Sequence, residues 1–129
     1  MPFAPDFRDS LRARARSFGY AVAGLQQMLR TQPNARIHAG ATALVLWLGW
    51  ALEVSAYEWL WLVLAIALVW MAEALNTAIE RLADAVTREQ HPLIGQAKDV
   101  AAGAVLVAAA AAALIGAIIL GPRLWHALG

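Results

Sequence analysis

The sequence predicts an all-α membrane protein forming a single domain over residues 1–129. An N-terminal amphipathic surface helix at about residues 6–30 precedes three transmembrane helices at about 37–52, 59–84 and 98–120. Three observations lead there. First, 61% of the 129 residues are hydrophobic and only 15% are charged, more apolar surface than a soluble domain of this length can hide. Second, the apolar residues come in long blocks rather than as a stripe of period 3.6. Third, acidic groups return at the end of the second block on one helical face, where they are costly and therefore mark a functional site. The absence of cysteine excludes disulfides, thiolate catalysis and cysteine metal sites. A net charge of +1 says little, but basic residues near the N-terminus suit an anionic membrane surface, and nothing supports nucleic-acid binding.

In the surface helix, Phe7, Leu11, Phe18, Val22, Leu25 and Leu29 recur at helical spacing, while Arg8, Arg12 and Arg16 form a basic row on another face. That pattern suits a helix lying in the membrane interface, and equally one packed on other protein. Gly19 and Gly24 are points where it can loosen or approach a neighbour. The first apolar run begins only near residue 39, so a cleaved signal peptide is not expected. Thr31-Gln32-Pro33-Asn34 reads as a break, with Thr31 or Asn34 as the cap of the next helix.

The first span has His38 at its entrance and Trp47 and Trp50 at the far interface. A tight connection with two acids, Glu53 and Glu58, leads to the second span. From Trp59 to Asp84 that helix is about 39 Å long against a hydrocarbon core of about 30 Å, so its last turns emerge from the membrane. A second connection over residues 85–97 precedes the third span, which is rich in Ala and lets helices approach closely. Six of the ten Lys and Arg residues precede the first span, none lies in the first connection, three lie from Arg81 to Lys98, and the last is Arg123. The positive-inside rule then places the N-terminus and the second connection in the cytoplasm and the C-terminus outside.

The chemistry lies in Glu73-Ala-Leu-Asn76-Thr77-Ala-Ile-Glu80-Arg81-Leu-Ala-Asp84. Glu73, Asn76, Glu80 and Asp84 fall within an arc of about 80° on an ideal helix, with Thr77 beside them. Their depths differ. A carboxylate inside the low-dielectric region, Glu73, suits a general base for a hydroxyl. The shallower Glu80 suits a hard cation such as Mg²⁺. Asn76 can orient a carboxylate or phosphate oxygen. Lys98 and Asp99, at the start of the third helix, add a cation and an acid at the same membrane face, although Asp near a helix N-terminus is also favoured by the dipole alone. Together these are the parts of a phosphoryl-transfer site. The plainer readings make Glu80 and Asp84 a solvated helix end, His91 a loop residue, His38 an interfacial residue and His126 a tail residue. There is no zinc spacing, no Walker A motif and no Gly-rich phosphate loop. Composition and spacing alone fit a proton or cation pathway nearly as well as an enzyme.

Glu73-Ala-Leu-Asn-Thr-Ala-Ile-Glu80 with Asp84, His91-Pro-Leu, and Ala97-Lys98-Asp99-Val-Ala-Ala-Gly-Ala-Val-Leu resemble the small bacterial integral-membrane diacylglycerol kinase family, which includes undecaprenol kinases. Gly19-Tyr20 with Gly24-Leu25, and Asn34-Ala-Arg36-Ile-His38, support the resemblance, which runs roughly from Arg16 to Leu120. It implies a homotrimer with active sites shared between subunits, and transfer of the ATP γ-phosphate to a lipid hydroxyl with Mg²⁺ in the bacterial cytoplasmic membrane. It implies Glu73 as general base and Glu80 as metal carboxylate. Asn76, Asp84, Lys98 and Asp99 take polar and nucleotide-contacting positions, and Tyr20 and His91 further nucleotide-side ones. The family's second metal carboxylate is replaced here by Gln32, whose amide oxygen can ligate Mg²⁺ but adds no charge. That departure keeps a catalytically weak or degenerate relative, binding nucleotide or lipid, as the alternative. The acceptor is diacylglycerol or undecaprenol, and the pattern around Asn76–Arg81 and His91 looks more like the undecaprenol side.

Overall fold

The computed structural model describes residues 7–129, and side chains from Ser10 onward. The stripe and row members Phe7 and Arg8, and residue 6 of the expected surface helix, therefore lie outside the described residues or side chains. Among the described residues four helices succeed one another: α1 (Phe7–Thr31), α2 (Pro33–Ala51), α3 (Ala56–Val86) and α4 (Pro92–Leu128). At 31 and 37 residues, α3 and α4 are long and apolar enough to cross a membrane. At 1.5 Å per residue they extend about 46 and 55 Å, so both project beyond a hydrocarbon core of about 30 Å. α2, with 19 residues and with Arg36 and His38 in its first two turns, is the shorter and more polar of the three expected spans.

The helix boundaries correct the expected breaks. The interruption before α2 narrows to Gln32 alone, because Pro33 occupies the first helical position, where a missing N–H costs nothing. Neither Thr31 nor Asn34 caps α2: the N-cap is Gln32, which makes no side-chain capping bond. The Thr31 hydroxyl is committed elsewhere, donating to the Gln27 carbonyl at 2.8 Å and accepting from Arg81 Nη2 at 2.8 Å. Arg36 closes the same corner by donating to the carbonyls of Leu29 and Arg30, the orphan acceptors at the end of α1. The second connection likewise shrinks to residues 87–91, with Pro92 starting α4. Asp99 consequently lies two turns into α4, beyond the reach of the terminal dipole invoked for it. Gly19 and Gly24 sit in an unbroken α1.

The end of the molecule remote from the acidic face holds a buried apolar cluster. Val54, Leu62 and Leu120 are buried against Val45, Leu48, Leu52, Trp59, Ile115 and Ile119. α2 ends in a Schellman motif: the Val54 N–H donates to the Gly49 carbonyl at 3.1 Å and the Glu53 N–H to the Trp50 carbonyl at 3.2 Å, with Glu53 at φ 50°. Ser55 and Glu58 then form a reciprocal capping box at the start of α3. Arg123 ties the whole end together, giving Nη2 and Nε to Glu58 at 2.7 and 3.3 Å and Nη1 to the Leu52 and Glu53 carbonyls at 3.2 and 3.4 Å. These bonds place α4 past Pro122 against both other helices. Midway along, Trp70 Nε1 donates to Thr42 Oγ1 at 2.9 Å, joining α3 to α2 through a satisfied polar pair. α1 meets the bundle through buried Met28 and half-buried Leu29, while Leu11, Phe18, Val22 and Leu25 of its apolar stripe stay exposed.

Candidate active site

The acidic face of α3 is turned inward at Glu73 and outward by Asp84. Glu73 is 1% exposed, Asn76 and Thr77 are buried, Glu80 is half-buried and Asp84 is exposed. Beside Glu73, Asn76 and Glu80 the walls are α2 at Asn34, Ile37 and His38 and α4 from Ala102 to Ala109, while at Asp84 the neighbour on α4 is Lys98. A cavity of about 330 Å³ is lined by Asn34, Ile37 and His38 of α2, Glu73, Asn76 and Glu80 of α3, and Ala102, Val105, Leu106 and Ala109 of α4. Small and aliphatic side chains on α4 thus leave room directly opposite the carboxylates.

Within the cavity, Asn76 Nδ2 donates to Glu80 Oε1 at 3.1 Å, which fixes the Glu80 carboxylate and the amide's orientation together. Asn76 Oδ1, Glu73 Oε2 and Thr77 Oγ1 are buried without a hydrogen-bond partner. Buried polar atoms are ordinarily paired, so Glu73 Oε2 and Asn76 Oδ1, both on this cavity, mark a place where a ligand is to be received, whereas Thr77 lines a separate space toward Gly24 and Met28 of α1. The group nearest Glu73 Oε2 is His38 Nε2, at 3.8 Å. That is close enough for an ionic contact and too long for a hydrogen bond.

A second, outer cleft opens about one turn further along α3. It is lined by Asp84, residues 87–90, His91, Pro92, Ile94, Gly95 and Lys98. Lys98 Nζ sits 3.0 Å from Asp84 Oδ1, so the acid on α3 and the base on α4 cross-link the two helices at the cleft's wall. Arg81, beside the acidic face in sequence, instead reaches Thr31 on α1.

The sequence-predicted residues therefore divide. Glu73, Asn76 and Glu80 share the inner cavity, and Asp84, His91 and Lys98 share the outer cleft. Tyr20 and Asp99 are exposed, and Gln32 lines neither space. Among the described residues no group of three or more His, Asp or Glu side chains converges as a metal site. Glu80, oriented by Asn76, still fits a Mg²⁺ ion that takes its remaining ligands from phosphate oxygens and water.

Sequence reasoning misses two residues at the site. His38, expected at the interface, faces Glu73, and Asn34, expected as a cap, lines the inner cavity. Their spacing of four residues, which places both on one face of α2, is the signal that could have found them.

The family described as prokaryotic diacylglycerol kinase matches residues 19–120. An undecaprenol kinase of Bacillus subtilis is 41% identical over 119 residues, covering 92% of this chain and 97% of the relative. A diacylglycerol kinase of Synechocystis is 42% identical over 109 residues, which span 84% of this chain and 62% of the longer relative. A diacylglycerol kinase of Escherichia coli is 33% identical over 102 residues, 79% of this chain and 84% of the relative.

Proposed function

This chain belongs to the prokaryotic diacylglycerol kinase family, and on that premise we propose that it transfers the γ-phosphate of ATP to the hydroxyl of a membrane lipid alcohol. The acceptor is undecaprenol or diacylglycerol; the near full-length match to an undecaprenol kinase favours the former. The observation that carries the reading is the buried, unpartnered Glu73 carboxylate facing a cavity that also holds Asn76 and Glu80. Glu73 accepts the hydroxyl proton as the lipid oxygen attacks the γ-phosphorus in line. Asn76 Oδ1 and the Glu80 carboxylate lie where the phosphates pass from the outer cleft inward. Lys98, held by Asp84 at that cleft, stabilises phosphate charge, and His91 lies beside it for the nucleotide. Mg²⁺ held at Glu80, with Gln32 contributing an amide oxygen, would neutralise charge on the transferred group.

The same reading places α2 as a third span in the bacterial cytoplasmic membrane, with α1 on its cytoplasmic surface, the C-terminus outside and the site open to cytoplasmic ATP. Exposed Leu44, Trp47, Val100, Leu106, Leu114 and Ile118 offer apolar surface to lipid and to neighbouring subunits. A homotrimer with shared sites gives Tyr20, Gln32 and Asp99, which stand apart from the cavities of their own subunit, a neighbour's site to complete.

The test is phosphate transfer from labelled ATP in mixed micelles, with each lipid offered separately, with and without Mg²⁺. Glu73→Gln is expected to abolish turnover while the oligomer and nucleotide binding persist. Undiminished turnover in that variant refutes the assignment. Absence of product from the wild-type chain with either lipid supports the degenerate reading, for which Gln32 is the motive.

A further inference from the structure

We infer that His38 is the proton-accepting partner of Glu73, carrying the abstracted proton out of the bundle after each transfer. The inference rests on the reading of Glu73 as the base. Transfer to a lipid alcohol releases one proton for each phosphate moved: the O–H bond breaks, the oxygen–phosphorus bond forms, and the bond from phosphorus to the departing ADP oxygen breaks. Glu73 takes that proton at Oε2 and must lose it before the next turnover. With 1% exposure, Glu73 cannot hand it to bulk water directly.

His38 is placed to relieve it. Its Nε2 is 3.8 Å from Glu73 Oε2, and its side chain is 18% exposed against 2% for that of Glu73. His38 also lies where two cavities meet, lining both the acidic one and an apolar one of about 460 Å³ that runs between α2, α3 and α4 toward Leu120 and Leu124. The groups facing these spaces are Asn34 and Thr42 from α2 and Glu73, Asn76 and Glu80 from α3, while α4 contributes only apolar side chains and Gly116 and Gly121. Thr42 is already bound to Trp70, and Asn76 to Glu80. His38 and Glu73 are thus the titratable pair at the junction, and Glu80 lies two turns from Glu73 toward the outer cleft. A closure of about 1 Å brings the pair to hydrogen-bond distance. With Nδ1 protonated, Nε2 accepts the proton from Glu73, the imidazolium forms, Nδ1 releases a proton toward water, and exchange with water returns the ring to the Nδ1–H tautomer before the next turnover. Imidazole suits this because its two ring nitrogens can take up a proton on one side and give one up on the other.

The experiment compares His38→Gln, His38→Ala and Glu73→Gln with the wild type in lipid micelles, as proteins of matched oligomeric state. His38→Gln keeps bulk and hydrogen bonding but cannot carry a proton. It is expected to lower kcat by on the order of 10²-fold with KM for ATP and lipid nearly unchanged, and to displace the acid limb of the pH–rate profile. Added imidazole is expected to restore part of the kcat of His38→Ala. Wild-type kcat and an unshifted pH profile in His38→Gln overturn the inference, as does loss confined to His38→Ala without imidazole rescue, which indicates packing alone. Activity in Glu73→Gln refutes the base itself. An inactive Glu73→Gln beside a fully active His38→Gln refutes only the role of His38.

Discussion

Gly49 and Trp59 set a test of how tightly the end remote from the site is packed. A Cβ built on Gly49 would stand 2.6 Å from Trp59 Cη2 and 2.8 Å from Cζ2. Carbon atoms prefer about 3.5–4.0 Å, so Gly49→Ala forces the indole back by about 1 Å. The ring has little room to yield, since it packs on the cluster of Val54, Leu62 and Leu120. Overpacking of this kind costs about 1–3 kcal/mol, while alanine in place of helical glycine returns up to about 1 kcal/mol. The net expectation is a loss of about 1 kcal/mol. Trp59→Phe removes the benzo atoms that collide, so Gly49→Ala made in that background is expected to be neutral or stabilising. A double-mutant cycle read by thermal unfolding in micelles, monitored by circular dichroism, measures the coupling. Additivity within about 0.5 kcal/mol refutes the contact and the close approach of α2 to α3 that it implies.

Other expectations concern the same end of the molecule and the site. Glu53→Gly is expected to stabilise by about 1 kcal/mol, because φ 50° at this position strains any residue with a Cβ; a lowered melting temperature refutes the Schellman geometry. The Glu58 carboxyl is lowered from 4.5 to about 2, first by the Ser55 backbone N–H and then by the Arg123 guanidinium, one residue outside the predicted span. A depressed folded-state value means that this stabilisation is complete above about pH 4.5 and is lost as pH falls toward 2. Glu58→Gln should therefore flatten the acid limb of the stability–pH curve, and an unchanged slope counts against the clasp. Gln32→Glu restores a charge at the proposed metal position, and about tenfold less Mg²⁺ should support half-maximal turnover. An unchanged Mg²⁺ requirement removes Gln32 from the metal site.

Much of this protein is determined by sequence alone. The four helices, the apolar blocks, and the face carrying Glu73, Asn76, Glu80 and Asp84 are consequences of periodicity, which local hydrogen bonding and burial enforce wherever the helix is placed. The carboxylates form a gradient because they sit successively nearer a helix end, and that too is a matter of counting residues. The capping box of Ser55 and Glu58 is written in the sequence as a Ser-x-x-Glu pattern, which reading the stretch only as a tight acidic connection overlooks. The expected breaks at Thr31–Asn34 and over residues 85–97 are too wide because they treat proline as a stop, whereas at the first helical position it is a start.

What tertiary structure decided is which distant side chains meet. Nothing local pairs His38 with Glu73, Lys98 with Asp84 or Arg123 with Glu58, for these contacts span up to 65 residues and depend on how α2 and α4 dock on α3. The division of one acidic face into an inner cavity and an outer cleft arose the same way: α2 and the Ala102–Ala109 stretch of α4 wall the first, and residues 87–91 with the start of α4 wall the second. A helix's own residues settle which of them share a face; only packing settles what that face is turned toward.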